Sequence, residues 1–466
     1  MKSKKVLLVA PSDKVFYKDT KIKAAVPYTP LPGLPSLASI LIKKGHDVKI
    51  FDFNFGDNDF DKFNLLLKEF NPSIVGITFT TPLFNEMLKI CESVKNFNEK
   101  VLLIGGGAHA SSFPEQTLKD SLLDVVVIGE GEYKLLDIVE DVKLKKMKGI
   151  CLKEKNNIIF TEKAGLIKEL DALPFPAWEI YNYKEYKTSK FISRKNPVGW
   201  VETSRGCVYG CVYCNKSVFG RTFRIKSAKR VVDEFEHMVK LGFKELHIAD
   251  DCFTTDMKRA EEICDEILKR NIKILWATVT GIRVDRVSKD LLYKMKKAGC
   301  YCVYFGIESG NQDILDKVGK GIKLEQVVNA VKWAKEVGLE VVGFFMIALP
   351  GETEKTMQDT INFAKRLDLD MAKLSIMIPL PATAVFDDFK SRNLIKTMQW
   401  EKFNYYVIPK EIYDHPNLSW DVIDKYYNKF YREFYFRPGF ILKRFIKGIK
   451  SGTIFNDIYV LLRTKW

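Results

Sequence analysis

Three cysteines fall within eight residues, in the run Ser204-Arg205-Gly206-Cys207-Val208-Tyr209-Gly210-Cys211-Val212-Tyr213-Cys214-Asn215. The spacing is C-x3-C-x2-C. Gly206 and Gly210 let the loop curl so that the three thiolates converge. Three thiolates can each hold one iron of a four-iron cluster and leave the fourth iron open to a small ligand. An open position makes a bound zinc catalytic by the same logic. A structural zinc site is the competing arrangement. It needs a fourth ligand and usually a second C-x2-C pair. The next cysteine is Cys252 and the nearest histidine His237, and neither is placed at such a spacing. The other cysteines build no second site. Cys300 and Cys302 share one side of any strand they occupy, and Cys91, Cys151 and Cys264 read as small buried hydrophobes.

A loop of this kind needs a strand end to carry it, and residues 199–202 supply one. They open a series of apolar strand patterns at 199–202, 245–249, 275–279, 302–307, 341–347 and 372–378. Helical patterns at 228–241, 257–270, 289–298 and 324–337 lie between them. Six such units predict a partial TIM-type (βα)6 barrel, a fold that carries its chemistry on the loops after its strands. An earlier series fills the first 140 residues, with strands at 6–10, 47–53, 74–78, 101–104 and 125–128 and a helix at 36–44 closed by Gly45. These strands are apolar throughout rather than alternating, as in a parallel sheet covered on both faces. The prediction is a doubly wound, Rossmann- or flavodoxin-like α/β domain with its ligand site at the carboxyl ends of the strands. The expected division is 1–144 for this domain, 145–195 for a connector, 196–385 for the barrel and 386–466 for a helical end. The connector holds a hairpin at 150–160, turning at Asn156 and Asn157, and the helix-disfavouring run Leu173-Pro174-Phe175-Pro176.

With Tyr213 before its last cysteine, the cysteine motif resembles that of the radical S-adenosylmethionine enzymes, and the likeness spans about residues 198–355. The resemblance implies a [4Fe-4S] cluster on Cys207, Cys211 and Cys214, whose open iron is chelated by S-adenosylmethionine. Reductive cleavage of the sulfonium then gives a 5′-deoxyadenosyl radical. The backbone of Tyr213 would lie near the adenine. Ala249-Asp250-Asp251-Cys252-Phe253-Thr254 matches the segment that meets the methionine amino group. It carries Asp250 and Asp251 where many members have Gly-Gly-Glu. A carboxylate facing the ammonium is electrostatically sound, while capping of the next helix is the plainer role. Tyr304-Phe305-Gly306-Ile307-Glu308-Ser309-Gly310 matches the segment near the ribose. There Glu308 and Ser309 would contact the cofactor, unless Glu308 is a solvent-facing strand end. Met346-Ile347-Ala348-Leu349-Pro350-Gly351-Glu352-Thr353 matches a further strand that turns into a helix.

The order of domains is similar to that of the cobalamin-binding class of this family, the group of methyltransferases, phosphorus methylases and the anaerobic magnesium-protoporphyrin cyclase. Ile104-Gly105-Gly106-Gly107-Ala108-His109 corresponds to its Gly-rich turn and Val127-Ile128-Gly129-Glu130-Gly131-Glu132 to its last strand end. By this resemblance Thr78, Gly105, Gly106, Gly107, Glu130 and Gly131 would contact cobalamin. The glycines would let the backbone approach its nucleotide tail. The loop after Ala10, Pro11-Ser12-Asp13-Lys14-Val15-Phe16, has no histidine to serve as lower ligand of cobalt. His109 could replace it or be a structural histidine. A cobalamin-free flavodoxin-like adaptor is the alternative for the whole domain.

Chain length and composition fit these domains: 466 residues, 46% hydrophobic and 29% charged, with no apolar run long enough to span a bilayer. Nine unevenly spread cysteines do not form a disulfide framework, and a cytoplasmic location is expected. The net charge of +15 comes mainly from lysine, which ordinarily marks a solvated surface. No nucleic-acid motif accompanies it. Residues 440–450 place Phe440, Ile441, Phe445 and Ile449 at helical spacing beside Lys443, Arg444, Lys447 and Lys450. Such a helix could pack on the barrel or lie peripherally on an anionic membrane. Taken with the resemblance, the expectation is a cobalamin-dependent radical enzyme that methylates an unactivated carbon or phosphorus centre. Its partners would be a small-molecule or lipid substrate and an electron donor such as ferredoxin or flavodoxin. A radical cyclase that transfers no methyl group, or a non-catalytic iron–sulfur scaffold, are the other readings.

Overall fold

The computed structural model describes residues 2–17, 30–56, 58–155, 157–190, 192–451 and 454. Asn156 of the expected turn, the side chain of Lys450 and, Ile454 apart, everything after Ser451 lie outside that description.

The first unit runs β1 (Lys5–Ala10), α1 (Gly33–Lys43), β2 (Asp47–Asp52), α2 (Phe60–Phe70), β3 (Ile74–Thr78), α3 (Phe84–Phe97), β4 (Leu102–Gly106), α4 (Ala108–Ser112), α5 (Pro114–Lys119), β5 (Val125–Val127) and α6 (Glu132–Val139). Its strands pair in parallel in the order β2-β1-β3-β4-β5. This is the flavodoxin-like winding, whose order reverses between β1 and β3 and opens a crevice there. The strands are apolar on both sides because helices cover both faces: Val6, Leu7, Leu8, Val9 and Ala10 are all buried. The hairpin expected in the connector, β6 (Ile150–Glu154) and β7 (Asn157–Phe160), instead extends this sheet antiparallel from β5. Ile150, Cys151 and Leu152 are buried, so one more strand pairing shields an edge that would otherwise be open.

The second unit runs β8 (Val198–Val201), β9 (Ser204–Arg205), β10 (Arg224–Ile225), α7 (Ala228–Leu241), β11 (Glu245–Ile248), α8 (Met257–Lys269), β12 (Leu275–Ile282), α9 (Lys289–Lys297), β13 (Cys300–Glu308), α10 (Gln312–Lys317), α11 (Leu324–Glu336), β14 (Glu340–Ile347), α12 (Glu354–Arg366) and β15 (Met371–Ile376). β8, β11, β12, β13, β14 and β15 form one six-stranded sheet in that sequential order, all parallel. It is the partial barrel that the alternating pattern predicts. Helix starts follow local side-chain chemistry. Ser227, Asp256, Ser288, Asn311 and Thr353 each accept a backbone N–H of the first turn. Two non-glycine residues at the carboxyl ends of strands, Glu308 (φ 66°) and Ala348 (φ 60°), hold left-handed backbone. Such strain collects where a site is built.

Between the units, residues 170–186 do not drape over the surface. Leu170, Leu173, Trp178, Tyr181, Tyr183 and Tyr186 are buried and continue the core of α1 into that of α7. Trp178 and Tyr183 both pack on Phe243, and Tyr181 and Tyr186 donate to Asp52 at the end of β2.

The chain continues through α13 (Ala384–Ser391) and α14 (Trp420–Tyr435) to α15 (Pro438–Ser451). α14 packs on α12 and β15, where Tyr431 and Tyr435 hydrogen-bond the backbone of Leu374 and Ala372. Lys447, half-buried, pairs with Asp370 and Glu340, and Lys443 pairs with Asp368 at the exposed surface. Beside them Ile441, Leu442, Phe445, Ile446 and Ile449 are all exposed.

Candidate functional site

The cysteine loop is the long connection of a two-residue hairpin. Arg205 pairs with Arg224 and Ser204 with Ile225, which brings the ends of residues 206–223 together. Gly206 (φ 83°) starts the loop, and a Cβ there would stand 2.3 Å from the carbonyl oxygen of Thr222. Only glycine fits that turn. The loop then settles between neighbours. Val212 N–H donates to the carbonyl of Val318, Val385 N–H donates to the carbonyl of Val212, and Gly319 passes against Gly210 so closely that a Cβ would lie 3.0 Å from its oxygen.

Of the three thiols, Cys211 and Cys207 lie near enough to Cys214 to act on its charge. Cys207 is almost buried, Cys211 half-buried and Cys214 exposed. Burial raises the Cys214 thiol, and the charges of Cys211 and Cys207 add to that, against the lowering by Lys216. Among the described residues no three His, Cys, Asp or Glu side chains stand close enough to hold one ion. A cubic cluster needs thiolates on three separate irons, and this shallow, half-exposed triad fits that demand.

Around the triad stand groups from several strand ends. The Tyr213 hydroxyl is buried beside Cys211 and Glu308 without a hydrogen-bond partner. Glu308 accepts from Lys320 at 2.8 Å, and both side chains are nearly buried. Gly306 makes room for this pair, since a Cβ would be 2.8 Å from Lys320 Nζ and 2.9 Å from Glu308 Oε1. Glu308 is thus an ion-paired residue rather than a solvent-facing strand end. Arg283 lies 3.6 Å from the Tyr209 ring centroid and donates to the backbone of Lys320 and Gly321.

The acidic pair at the end of β11 divides its roles. Asp250, 1% exposed, accepts from Thr203 N–H, Thr203 Oγ1 and Ser204 Oγ, with Arg259 at 3.7 Å. It braces the strand leading into the cysteine loop. Asp251 is exposed, near Lys216, and accepts the Gly206 N–H. Neither caps α8; Asp256 does. Ser309 is fully buried and engaged with Thr360 Oγ1 and Asn311 N–H, so it fixes the turn after β13.

The first unit contributes a cleft of about 260 Å³ at its strand ends. Thr78, Gly105, Gly106, Gly107, Glu130 and Gly131 all line it, with α1 along one side. The three glycines differ. A Cβ on Gly105 would point into the core, 2.5 Å from Leu123, and one on Gly107 would meet the Phe79 carbonyl at 2.8 Å. A Cβ on Gly106 would meet nothing within 4 Å. The flat strip of backbone that results is a cradle suited to a bulky planar cofactor part. His109 is not on this wall. It is fully buried among Phe79, Phe84, Phe113 and Trp400, with Nδ1 on Thr81 Oγ1. Burial lowers its pKa to about 3. It is a structural histidine that does not line the cleft, rather than a substitute metal ligand.

The two halves of the site are joined by residues whose roles the sequence did not signal. Asn215, next to Cys214, donates to Ser112 Oγ at 2.8 Å and to the Pro381 carbonyl. Ser217 Oγ reaches the Ala108 carbonyl, just after the glycine strip. Deeper, Arg205 bonds Glu130 at 2.8 Å, Glu132, and Glu202 at 2.7 Å, and Arg224 also reaches Glu130. Burial alone would raise Glu132, but the charge and hydrogen bond of Arg205 hold it below the usual carboxylate range. Burial pushes Glu202 up. The stability contributed by Glu132 is therefore complete above its unfolded pKa and is lost as pH falls through its lower folded value. Arg205→Met should leave buried carboxylates uncompensated and destabilise the protein by about 3–5 kcal/mol. A denaturant midpoint within error of wild type would refute that.

Comparison with known proteins agrees with this fold. Residues 201–364 match the Radical SAM superfamily model and residues 20–139 the B12 binding domain model. The chain is 36% identical to an uncharacterized methyltransferase of Pyrococcus horikoshii, over 96% of this chain and 98% of that one. It is 32% identical to the cytidylyl-2-hydroxyethylphosphonate methyltransferase of Streptomyces wedmorensis, over 81% and 80%. In fold it is similar to the radical S-adenosylmethionine methyltransferase TsrM of Kitasatospora setae, whose structure holds cobalamin and a [4Fe-4S] cluster. The TM-score is 0.69 at 19% identity, covering 84% of this chain and 75% of that one.

Proposed function

The chain belongs to the radical S-adenosylmethionine superfamily, in the group whose barrel follows a B12-binding domain, and on that premise we propose that it methylates an unactivated carbon or phosphorus centre of a small-molecule or lipid substrate. When bound, the cluster with S-adenosylmethionine supplies a 5′-deoxyadenosyl radical, and cobalamin supplies the methyl group. Cys207, Cys211 and Cys214 would hold three irons. Asp251 is the acidic residue of its pair left to face the cofactor ammonium, and the Glu308–Lys320 pair is offered to its ribose or carboxylate. Thr78, Gly106, Gly107, Glu130 and Gly131 would border the corrinoid.

The observation that carries the proposal is the seam between the two halves. The cysteine loop is hydrogen-bonded through Asn215 and Ser217 to the segment following the glycine strip. Radical source and methyl donor would therefore sit on adjoining walls, within reach of one substrate. An iron–sulfur scaffold has no need of that junction. Peripheral contact with an anionic bilayer would use the exposed apolar row of α15 rather than Lys443 and Lys447, which are already paired. A one-electron donor such as reduced ferredoxin or flavodoxin would feed the cluster.

The test is a product count. Substrate candidates come from mass spectrometry of small molecules and lipids of cells with and without the protein. Supplied with one of these, the reduced and cobalamin-loaded enzyme should form 5′-deoxyadenosine and S-adenosylhomocysteine in equal amounts. Deoxyadenosine without the homocysteine product would favour the cyclase.

A further inference from the structure

The six-stranded sheet of the barrel carries a separate core on each face. On β15, Ala372, Leu374 and Ile376 are buried in the outer core, on the side that α14 covers. Side chains alternate along a strand, so Met371, Lys373 and Ser375 point the other way, into the barrel. There Met371 packs with Cys302, Tyr304, Val342 and Phe344, a cluster distinct from the outer core. The strand register sets Gly306, Phe344 and Lys373 in one row across β13, β14 and β15. Phe344 and Lys373 are half-buried and Ser375 is exposed, so this inner wall opens toward the carboxyl ends of the strands.

Other charges on the inner face have partners. Glu245 meets His247, Glu340 meets Lys447 and Glu308 meets Lys320, each at 2.8 Å. Lys373 has no ion pair or hydrogen bond among the described residues. Its Nζ lies only over rings, 5.3 Å from the centroid of Tyr304 and 5.8 Å from that of Phe344. Burial lowers its pKa, and the only group acting against that is the Cys302 thiol. That thiol is itself pushed far up by burial, so it stays neutral and offsets nothing. A desolvated cation held by two rings is a poor way to fill an apolar wall, where methionine fits the same space without the charge.

We infer that Lys373 seats an anionic group of the substrate, a carboxylate, phosphonate or phosphate, inside the barrel and below the cofactor. The inference rests on the reading that a substrate is methylated at the strand ends, and it adds the charge which that substrate carries. The row of Lys373 lies two residues before Glu308 along β13, about 7 Å deeper in the barrel. Glu308 and Lys320 thus stay available to the cofactor. An anion on Lys373 Nζ supplies the charged acceptor that the wall lacks, and Tyr304 and Phe344 flank the apolar part beside it. A substrate anchored this way directs its other end up toward the cysteine loop.

The test is isothermal titration of full-length, cluster-reconstituted protein with phenylphosphonate, benzoate and benzyl alcohol, which share a ring and differ in charge. At least one of the two anions should bind at least about tenfold more tightly than the alcohol, as expected for a charge-assisted hydrogen bond. The tighter anion tells phosphorus acid from carboxylic acid. Lys373→Met should lower its affinity to that of the alcohol. Lys373→Arg keeps the charge but cannot act as a base, and should hold the affinity within about threefold. Both variants should keep full iron content, and Lys373→Met should match or exceed the wild-type thermal midpoint, because an unpaired cation is removed. Anions that bind no better than the alcohol, or as well to Lys373→Met, overturn the inference. A lower thermal midpoint in Lys373→Met assigns the lysine to packing and overturns it too. Turnover of a neutral substrate with equal deoxyadenosine and homocysteine products would sink this inference and leave the methyltransferase reading standing. Anion binding that depends on Lys373, without methyl transfer to any substrate, would do the reverse.

Discussion

Cys207→Ala, Cys211→Ala and Cys214→Ala should each leave anaerobically reconstituted protein without a four-iron cluster and without 5′-deoxyadenosine formation from S-adenosylmethionine. The expectation is total loss rather than a graded one. Three thiolates already leave one iron without a protein ligand, so removal of another leaves two irons unsupported. No replacement stands by. Cys252 is the nearest further cysteine in sequence, yet it is buried, with its thiol pushed up by desolvation and bonded to Thr255. Cys300 and Cys302 are buried in β13. The variants should still fold, because Cys214 is exposed and the loop is held by backbone contacts of Val212 and Gly206 rather than by sulfur. Iron and sulfide analysis with chromatography of the nucleoside product provides the measurement. Full iron content in any of the three would end the assignment.

Gly106→Phe should abolish cobalamin uptake while sparing the cluster, which separates the two halves of the site. The three glycines of the strip are equivalent in sequence but not in space. A side chain on Gly105 collides with Leu123, so a Gly105 variant would report damage to the core. Gly107 has φ 98°, and any side chain there is strained and strikes the Phe79 carbonyl. Gly106 alone directs its Cβ into open cleft. A phenyl group there fills the space that the nucleotide tail needs and disturbs nothing beneath. Affinity should fall by at least about a hundredfold, with iron content, thermal midpoint and slow uncoupled deoxyadenosine formation retained. Stoichiometric cobalamin in the Gly106→Phe protein would move the cofactor to another place.

The strands of both units were legible because they are short apolar runs separated by helical periodicity, and parallel sheets require that pattern. The barrel elements lie within three residues of where the pattern predicts them, as at Ala228–Leu241 and Glu340–Ile347. The connector was not legible. Two prolines signalled only that a helix is disfavoured, whereas the aromatic residues that follow them, Trp178, Tyr181, Tyr183 and Tyr186, form a buried joint. Composition signals burial only when a periodic element displays it, and this segment has no regular element longer than one turn. For α15 the helix itself was foreseeable but its orientation was not. Lysine is usually solvated, but Asp370 and Glu340 hold Lys447 half-buried, while the apolar row of α15 is left exposed.

By itself the sequence determined the spacing of the three thiols, the order of the two α/β units and the glycines that admit close backbone approach. These are local properties, set by residue type and short intervals along the chain. Only the tertiary structure decided which carboxylate of a neighbouring pair is exposed, Asp251 rather than Asp250. It alone decided that His109 serves an aromatic core, and that Lys320 meets Glu308. It also decided that Arg205 binds Glu130 and Glu132 across more than seventy residues of chain. Each of these depends on the partner that a charge or ring meets once desolvated. Burial and pairing shift the behaviour of such groups by several kcal/mol, and those partners come from distant segments that no local spacing identifies.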